Sequence, residues 1–177
     1  MVRPPMYGDA VFGGPAGGHG PHRYRYLLWR CWEPDADQLT FVLCNPSTAG
    51  GWEGGALRSD PTVDRLIEIA AQAGAGGFAL VNLVAHVAPD LAHLPGGDLE
   101  GPDNRTHLEL VLALANRVVV GWGARPRLES QRRSVAGLLG DRPCWCLGVN
   151  RISRTPMHPL PRGPKRLDLV PFEPIGS

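Results

Sequence analysis

Two asparagines and one histidine lie at or just beyond the ends of predicted strands in this sequence of 177 residues. Asn45 directly follows an apolar run over residues 39–44, and Asn82 lies near the end of a second run over residues 78–83. His158 lies in the proline-rich tail that follows the last predicted central strand. Ligands of open α/β sheets bind outside the carboxyl ends of the strands, so these three side chains are candidates for one site.

The chemistry that these residue types suit is recognition of a flat, polar ring. A side-chain amide both donates and accepts hydrogen bonds, so two amides can read the edge of a planar heterocycle. An imidazole can stabilise negative charge that develops on such a ring. No serine is paired with His158 in the sequence, so an acyl-transfer triad is not predicted.

Each of the three residues also has a plain structural interpretation. Asn45 can bond its own backbone at a strand-to-turn junction. Asn82 can be satisfied by a backbone partner, since a buried amide is costly without one. His158 can be a surface histidine in a proline-rich tail.

Further candidates for binding flank these positions. Pro46, Ser47 and Thr48 form the turn after Asn45, and Trp52 is the bulky residue of a glycine loop over residues 50–55. A tryptophan in such a loop can stack on a flat ligand, although it can equally cover the core. The remaining candidates for substrate contact, after the third and fourth strands, are Trp122, Pro159 and Arg162.

Strands and helices alternate along the chain. The pattern predicts buried strands over 39–44, 78–83, 117–122 and 142–148, with helices over 60–73, 103–116 and 127–139. This order indicates a four-stranded, mainly parallel sheet with helices on both faces. The carboxyl ends of its strands share one edge, so Asn45, Asn82 and His158 are expected to line one crevice.

The chain length favours a single domain. Residues 1–22 are rich in glycine and proline and predict an irregular, flexible segment, which leaves residues 23–177 for the α/β domain. Residues 23–32 predict a further strand at a sheet edge. The sequence has no membrane-spanning run and no signal peptide, so a cytoplasmic protein is expected.

Several kinds of site are not predicted. The nucleotide-phosphate fingerprints G-x-G-x-x-G and G-x-x-x-x-G-K-[ST] are absent, as is the nucleophile elbow G-x-S-x-G. His86 and His93 lack a third ligand at metal spacing. The four cysteines favour buried, reduced thiols over an iron–sulfur or zinc site, because none forms a C-x-x-C pair. We therefore expect no cofactor and no metal.

Charge is unevenly distributed along the chain. Residues 1–32, 33–116 and 117–177 carry net charges of +3, −9 and +7, although the total is only +1. The basic C-terminal part can form a patch for phosphates, with DNA as one candidate partner, or it can be neutralised by the acidic segment in the fold. The total charge is too small for a tight, non-specific DNA binder.

The sequence resembles a small bacterial family of unknown function (domain of unknown function, numbered 1643). The segments that carry the resemblance occur in the family's order and at about its spacing; they are FVLCNPSTA, DPTVDR, LVNLVAH, GPDN, VVVGWGA, CLG and MHPL. The resemblance covers almost the whole chain, over roughly residues 23–172. The family name brings no established activity.

The same segments are similar, more distantly, to the uracil-DNA glycosylase superfamily. Its members carry an Asn-Pro or Asp-Pro motif after the first core strand, an asparagine that recognises the base, and a His-Pro motif after the last strand. This resemblance implies a three-layer α/β/α domain that cleaves N-glycosidic bonds. Asn45 would position the attacking water, Asn82 would bind the base edge, and His158 would stabilise the leaving base, with Trp52 as the stacking aromatic.

The chain also departs from that superfamily. The residues after His158-Pro159 are Leu160-Pro161-Arg162, which offer an apolar wedge but not the serine that many glycosylases have there. The first motif has Asn45 instead of the aspartate of the fastest members. Two other functions therefore remain open: a non-catalytic nucleobase or nucleic-acid binding module, and an enzyme that acts on a small nucleoside-like metabolite.

Overall fold

The computed structural model describes residues 5–14, 22–88, 98–160 and 167–173. Its strands are β1 (Tyr7–Gly13), β2 (Tyr24–Cys31), β3 (Gln38–Leu43), β4 (Trp52–Glu53), β5 (Ala56–Leu57), β6 (Gly77–Asn82), β7 (Arg117–Val120), β8 (Cys144–Cys146) and β9 (Val170–Phe172). Its helices are α1 (Pro61–Gln72), α2 (Asn104–Leu114) and α3 (Glu129–Leu139), and a single-turn 3-10 helix, Pro126–Leu128, precedes α3.

Seven strands form one mixed sheet in the order β1-β2-β6-β3-β7-β8-β9. The four central strands, β6, β3, β7 and β8, are parallel to one another, as the alternation of strands and helices predicts. The prediction of only four strands is wrong, because antiparallel strands extend both sides. β2 pairs with β6, β1 pairs with β2, and β9 pairs with β8. β2 is consequently an interior strand and not the edge strand that was expected.

The N-terminal segment is not irregular throughout, since Tyr7–Gly13 forms strand β1. Its glycines serve close packing: a Cβ on Gly8 would lie 2.6 Å from the carbonyl oxygen of Trp29 on β2. Glycine content alone therefore misleads here, because a glycine in a strand can mark a close approach of two backbones. Residues 1–4 and 15–21 of the predicted segment lie outside the described residues.

Helices cover both faces of the sheet. On one face, Phe41 and Leu80 belong to a hydrophobic cluster with Leu66 of α1. On the other face, Val42 and Val118 belong to a second cluster to which α2 and α3 contribute. Neighbouring residues of β3 thus point to opposite layers, as the two-residue period of a strand requires. The arrangement explains why the central strands are mainly apolar on both faces.

The start of α1 is fixed by Asp60, whose side chain accepts a hydrogen bond of 2.9 Å from the backbone N–H of Val63. Pro61 occupies the first turn, where its missing N–H costs nothing. The sequence analysis predicts this start correctly. Within the described residues, no helix is long and apolar enough to cross a membrane.

Candidate functional site

A small cavity lies at the carboxyl ends of β3 and β6. It has a volume of about 140 Å³ and brings Asn45, Asn82 and His158 together, as the sequence analysis predicts for one crevice. The full lining is Arg25, Leu43, Cys44, Asn45, Ser47, Thr62, Val63, Leu80, Asn82, Arg125 and His158. A dry protein cavity of roughly 150 Å³ accepts one benzene ring, so this space suits a single ring.

Asn45 is oriented by backbone carbonyls. Its Nδ2 donates to the carbonyl oxygens of Ala88 at 3.0 Å and of Pro46 at 3.1 Å. Two acceptors beside one atom identify that atom as the amide nitrogen. Among the hydrogen bonds of the described residues, none uses Oδ1 of Asn45, so this oxygen is available as an acceptor for water or a ligand.

Asn82 presents an unsatisfied donor. The residue is only 1% exposed, and its Nδ2 has no hydrogen-bond partner in the described part of the chain. A buried amide donor without a partner costs about 1–3 kcal/mol. Asn104, also buried, donates from Nδ2 to the backbone carbonyls of Asn82 and Leu83 and thereby fixes the end of β6. A bound acceptor would satisfy Asn82 without moving its backbone.

The tautomer of His158 follows from a backbone contact. The N–H of Leu160 donates to Nδ1 of His158 at 3.2 Å, so Nδ1 is the acceptor and the proton resides on Nε2. Burial and the nearby charge of Arg125 lower the pKa of His158 to about 4, against the opposite influence of Asp60. The ring is therefore neutral at pH 7 and is a hydrogen-bond donor through Nε2.

The turn that carries His158 rests on the end of β7. A Cβ on Gly121 would lie 2.9 Å from Leu43 and 3.2 Å from both the carbonyl oxygen of Met157 and the ring of Pro159. Gly123 then donates its N–H to the carbonyl of Pro156 at 2.9 Å. The G-W-G segment after the third predicted strand thus positions the histidine, because only glycine leaves room for the tail at this point.

One arginine of the lining, Arg25, was missed by the sequence analysis, whereas Arg125 belongs to the basic C-terminal part that the sequence offers for phosphate contacts. Arg25 on β2 is 2% exposed; it donates through one terminal nitrogen to the carbonyl of Ala49 at 2.8 Å, whereas its Nε has no partner in the described residues. Burial lowers its pKa to about 10, partly offset by Asp60, so it stays charged at neutral pH. Arg125 reaches the cavity from the exposed segment after β7. The sequence signal that could have identified Arg25 is a charged residue at an inward-facing position of a predicted strand.

Ser47 lines the cavity next to α1 and is held there by Asp60, which lies outside the lining. The Ser47 hydroxyl donates to Oδ2 of Asp60, which also accepts the N–H of Ala49 at 3.2 Å. The turn after Asn45 is therefore tied to the first residue of the helix. This carboxylate is committed to three donors and fixes the shape of the site.

A second cavity, of about 260 Å³, adjoins the first and shares Ser47 with it. Thr48 and Trp52 line this second cavity and not the first, and Trp52 is 59% exposed on the β4–β5 hairpin. Phe12 and His22, whose rings stack with centroids 4.7 Å apart, complete an aromatic wall. Trp52 thus lines the second cavity and not the ring-sized one, and its stacking on a bound ring stays a prediction.

The remaining predicted contacts fall elsewhere. Trp122 lines neither cavity: it is 2% exposed in the core and packs edge-to-face on Phe172. Its indole Nε1 is buried without a hydrogen-bond partner in the described residues. Pro46 contributes its backbone carbonyl as an acceptor, whereas the ring of Pro159 is buried against Gly121. Arg162 lies outside the described residues.

The basic C-terminal part is partly engaged within the fold. Arg132 and Arg133 both pair with Glu129 on α3, and the guanidinium of Arg117 lies 5.6 Å from the ring centre of Trp145. Arg125 and Arg127 are exposed. The positive charge available to a phosphate-bearing partner is therefore smaller than the net charge of +7 carried by residues 117–177.

The cysteines are all free, and Cys44, Cys144 and Cys146 are buried. Burial raises the pKa of Cys44, in the cavity lining, to about 11, against the influence of Arg125, so the thiol is protonated and a poor nucleophile at pH 7. In the described ranges, no group of three or more His, Cys, Asp or Glu residues is arranged to hold a metal ion.

Comparison with known proteins identifies a family. No curated protein matches the chain. A crystal structure of a Zn-dependent exopeptidase from Parabacteroides distasonis is similar at 14% identity over 66% of this chain and 47% of that one, so this chain spans less than half of that protein. The TM-score of 0.28 is too low to carry an argument. The model of the family described as "Protein of unknown function (DUF1643)" matches residues 25–160, most of the chain, and the protein therefore belongs to that family.

Proposed function

We propose that the protein is an N-glycosidase-like hydrolase that cleaves a base from DNA or from a nucleoside or nucleotide, with a fold related to that of uracil-DNA glycosylases. The observation that carries the proposal is the meeting of Asn45, Asn82 and His158 around one ring-sized cavity in which the Asn82 amide lacks a partner. The order of the Asn-Pro, Asn and His-Pro motifs along the chain supports it further.

In the proposed reaction, the oxygen of a water molecule bonds to the anomeric carbon of the sugar as the bond to the base nitrogen breaks. The electron pair of that bond passes to the base, and the proton lost by the water finally neutralises the base. Asn45 is suited to hold the water, because its Oδ1 is available while its Nδ2 is anchored. An amide orients water but does not remove its proton, so the water stays a weak nucleophile. The bond between sugar and base must therefore be largely broken before the water attacks.

Two donors are suited to the base. The Asn82 amide would bond an acceptor on the base edge and gain the partner that it lacks. His158, neutral and protonated on Nε2, would donate to the negative charge on the departing base without transferring its proton. The neighbouring aromatic cavity offers space for the group beyond the glycosidic bond, with Trp52 available for stacking.

A non-catalytic nucleobase-binding module is the second candidate. It is favoured by the chemistry of Asn45, which stands where the fastest glycosylases carry a carboxylate. A third candidate is an enzyme that acts on a small nucleoside-like metabolite, which would be indifferent to DNA and to salt.

The test is base release from uracil-, hypoxanthine- and xanthine-containing oligonucleotides, single- and double-stranded, alongside a panel of free nucleosides and nucleotides. We expect release from at least one substrate and its loss in His158→Ala. Gln38→Ala, which changes an amide at the other end of β3, is the matched control and should retain release. Binding without release from any substrate would favour the binding module and contradict the hydrolase.

A further inference from the structure

We propose that the ring-sized cavity selects an anionic ligand group, a carboxylate or a phosphate, through Arg25, Arg125 and Asn82. The inference rests on the proposed function, because it names the substrate class of the same site. A substrate of this class is a small nucleoside-like or nucleotide-like molecule with an acidic group at or beside its ring. A neutral base within a DNA duplex does not belong to the class.

The first support is the polarity of the lining. Nε of Arg25 and Nδ2 of Asn82 are buried donors without partners in the described residues, and both side chains line the cavity. His158 adds a third donor through Nε2. An uncharged pyrimidine presents both N–H and carbonyl groups along its edge, whereas a carboxylate or phosphate presents acceptors alone. Beside these three donors the lining has an available acceptor, Oδ1 of Asn45, and this excess of donors matches an anion better than a neutral base.

The second support is the balance of charge. Arg25 and Arg125 both line the cavity, and among its described lining residues there is no carboxylate. Asp60, outside the lining, is the carboxylate whose charge acts on Arg25, and it acts on Arg30 as well. A buried guanidinium is stable only with compensation, and a bound oxyanion supplies it in the form of charge-assisted hydrogen bonds.

The third support is that the rest of Arg25 is already fixed. Its bond to the Ala49 carbonyl holds the guanidinium, and the Ser47–Asp60 contact holds the loop that carries Ala49. Binding an anion would thus cost little ordering of Arg25. Arg125, which is exposed, would be ordered by the ligand and close the cavity from outside.

The experiment measures binding by titration calorimetry at constant ionic strength, with three probes: inorganic phosphate, orotate and uracil. Orotate and uracil share one ring and differ by a carboxylate, so their comparison isolates the charge. We expect orotate or phosphate to bind at least about tenfold more tightly than uracil, the effect of one charge-assisted contact. Tighter binding of phosphate would indicate a phosphorylated ligand, and tighter binding of orotate would indicate an acidic ring.

Arg125→Gln is the main variant, because this exposed side chain can be changed without opening the core. It should lose at least about tenfold in affinity for the anion and little for uracil. Arg127→Gln, which removes another exposed arginine that does not line the cavity, is the matched control and should bind as the wild type does. Arg25→Gln should also lose the anion, with circular dichroism as the check that it folds.

The inference is overturned if uracil binds as tightly as orotate and phosphate, if neither anion binds at about 10 mM, or if Arg125→Gln and Arg127→Gln behave alike. Failure of the proposed function is a different result. Anion binding without base release from any substrate would contradict the hydrolase alone. Release from neutral nucleosides with no preference for anionic ones would contradict the anion site alone.

Discussion

Each end of the parallel strands borders a cavity. The larger of the two cavities is not the one lined by buried donors that are unpaired among the described residues. At the amino ends of β3 and β7 a space of about 440 Å³ lies between the β2–β3 turn and the end of α2. At the carboxyl ends the space is only about 140 Å³. Of the two, only the carboxyl-end cavity is lined by buried donors that lack partners in the described residues.

Two amides illustrate the difference. Gln38, at the amino end of β3, donates from Nε2 to the carbonyl oxygens of Ala36 at 2.8 Å and Glu33 at 3.2 Å, so it closes its own turn. Asn82, at the carboxyl end of β6, is buried and leaves Nδ2 without such a partner. The proposed site is therefore the smaller cavity, which is chosen for the unsatisfied buried donors in its lining and not for its volume.

The largest expected effect separates the two ends by activity. His158→Ala should slow base release by about 10²–10³-fold, the usual cost of losing one donor to a developing negative charge. Gln38→Ala, at the amino-end cavity, should leave the rate unchanged. Single-turnover rates on one substrate give both values. Equal losses in the two variants would remove the functional distinction between the ends.

A second prediction concerns the packing of the His158 turn. Gly121→Ala should destabilise the protein by about 1–3 kcal/mol, because its Cβ would overlap Leu43 and push the turn away. The matched control is Gly137→Ala in α3, where a Cβ meets nothing within 4 Å. The control should gain about 0.5–1 kcal/mol, since alanine is the better helix former. Urea unfolding measures the change in the free energy of unfolding for each variant. If Gly121→Ala and Gly137→Ala changed it in the same direction, the packing explanation for Gly121 would be contradicted.

A third prediction concerns the link between the cavity and α1. Asp60→Ala should cost about 1–2 kcal/mol in the free energy of unfolding, since it removes a helix cap and the acceptor of Ser47 and Ala49. Asp103→Ala changes the equivalent position of α2, where the side chain makes no capping hydrogen bond. It should stay within about 0.5 kcal/mol. If Asp103→Ala lowers the free energy of unfolding as much as Asp60→Ala does, the side-chain contacts of Asp60 are not what stabilises the start of α1.

A fourth prediction concerns pH dependence, which has no effect on stability at neutral pH. The pKa of His158 is about 4, below the ordinary value of 6.5, so the folded protein binds fewer protons there than the unfolded chain. This residue therefore lowers stability as pH falls below 6.5, with the full penalty reached below pH 4, and contributes no loss above pH 6.5. Titration of its ring protons by NMR should give a midpoint near 4. A midpoint near 6.5 would contradict the buried, neutral imidazole.

The sequence predicts the centre of the fold better than its margins. Apolar strand periodicity and the cap at Asp60 locate the four parallel strands and the start of α1, because these signals are local. The pairing of β1 is not predicted, since its reason is the close approach of Gly8 to Trp29, a contact distant in sequence. β9 is missed as part of the sheet for the same kind of reason.

The candidate site divides in the same way. Asn45, Asn82 and His158 are predictable because polar residues at strand ends meet at one edge of a parallel sheet. Arg25 is not predicted, because it reaches the cavity from β2, whose place inside the sheet cannot be read from its pattern alone. Trp122 is misassigned because a tryptophan after a strand suits a core and a site equally well.

The most direct test of the account is base release by Asn45→Ala beside the wild type, with substrate binding measured on the same samples. The account predicts that the variant folds and binds substrate but releases base at least about 100-fold more slowly, because the water loses its acceptor. Unchanged release in Asn45→Ala, or no release by the wild type from any substrate that it binds, would contradict the central claim that this cavity cleaves an N-glycosidic bond.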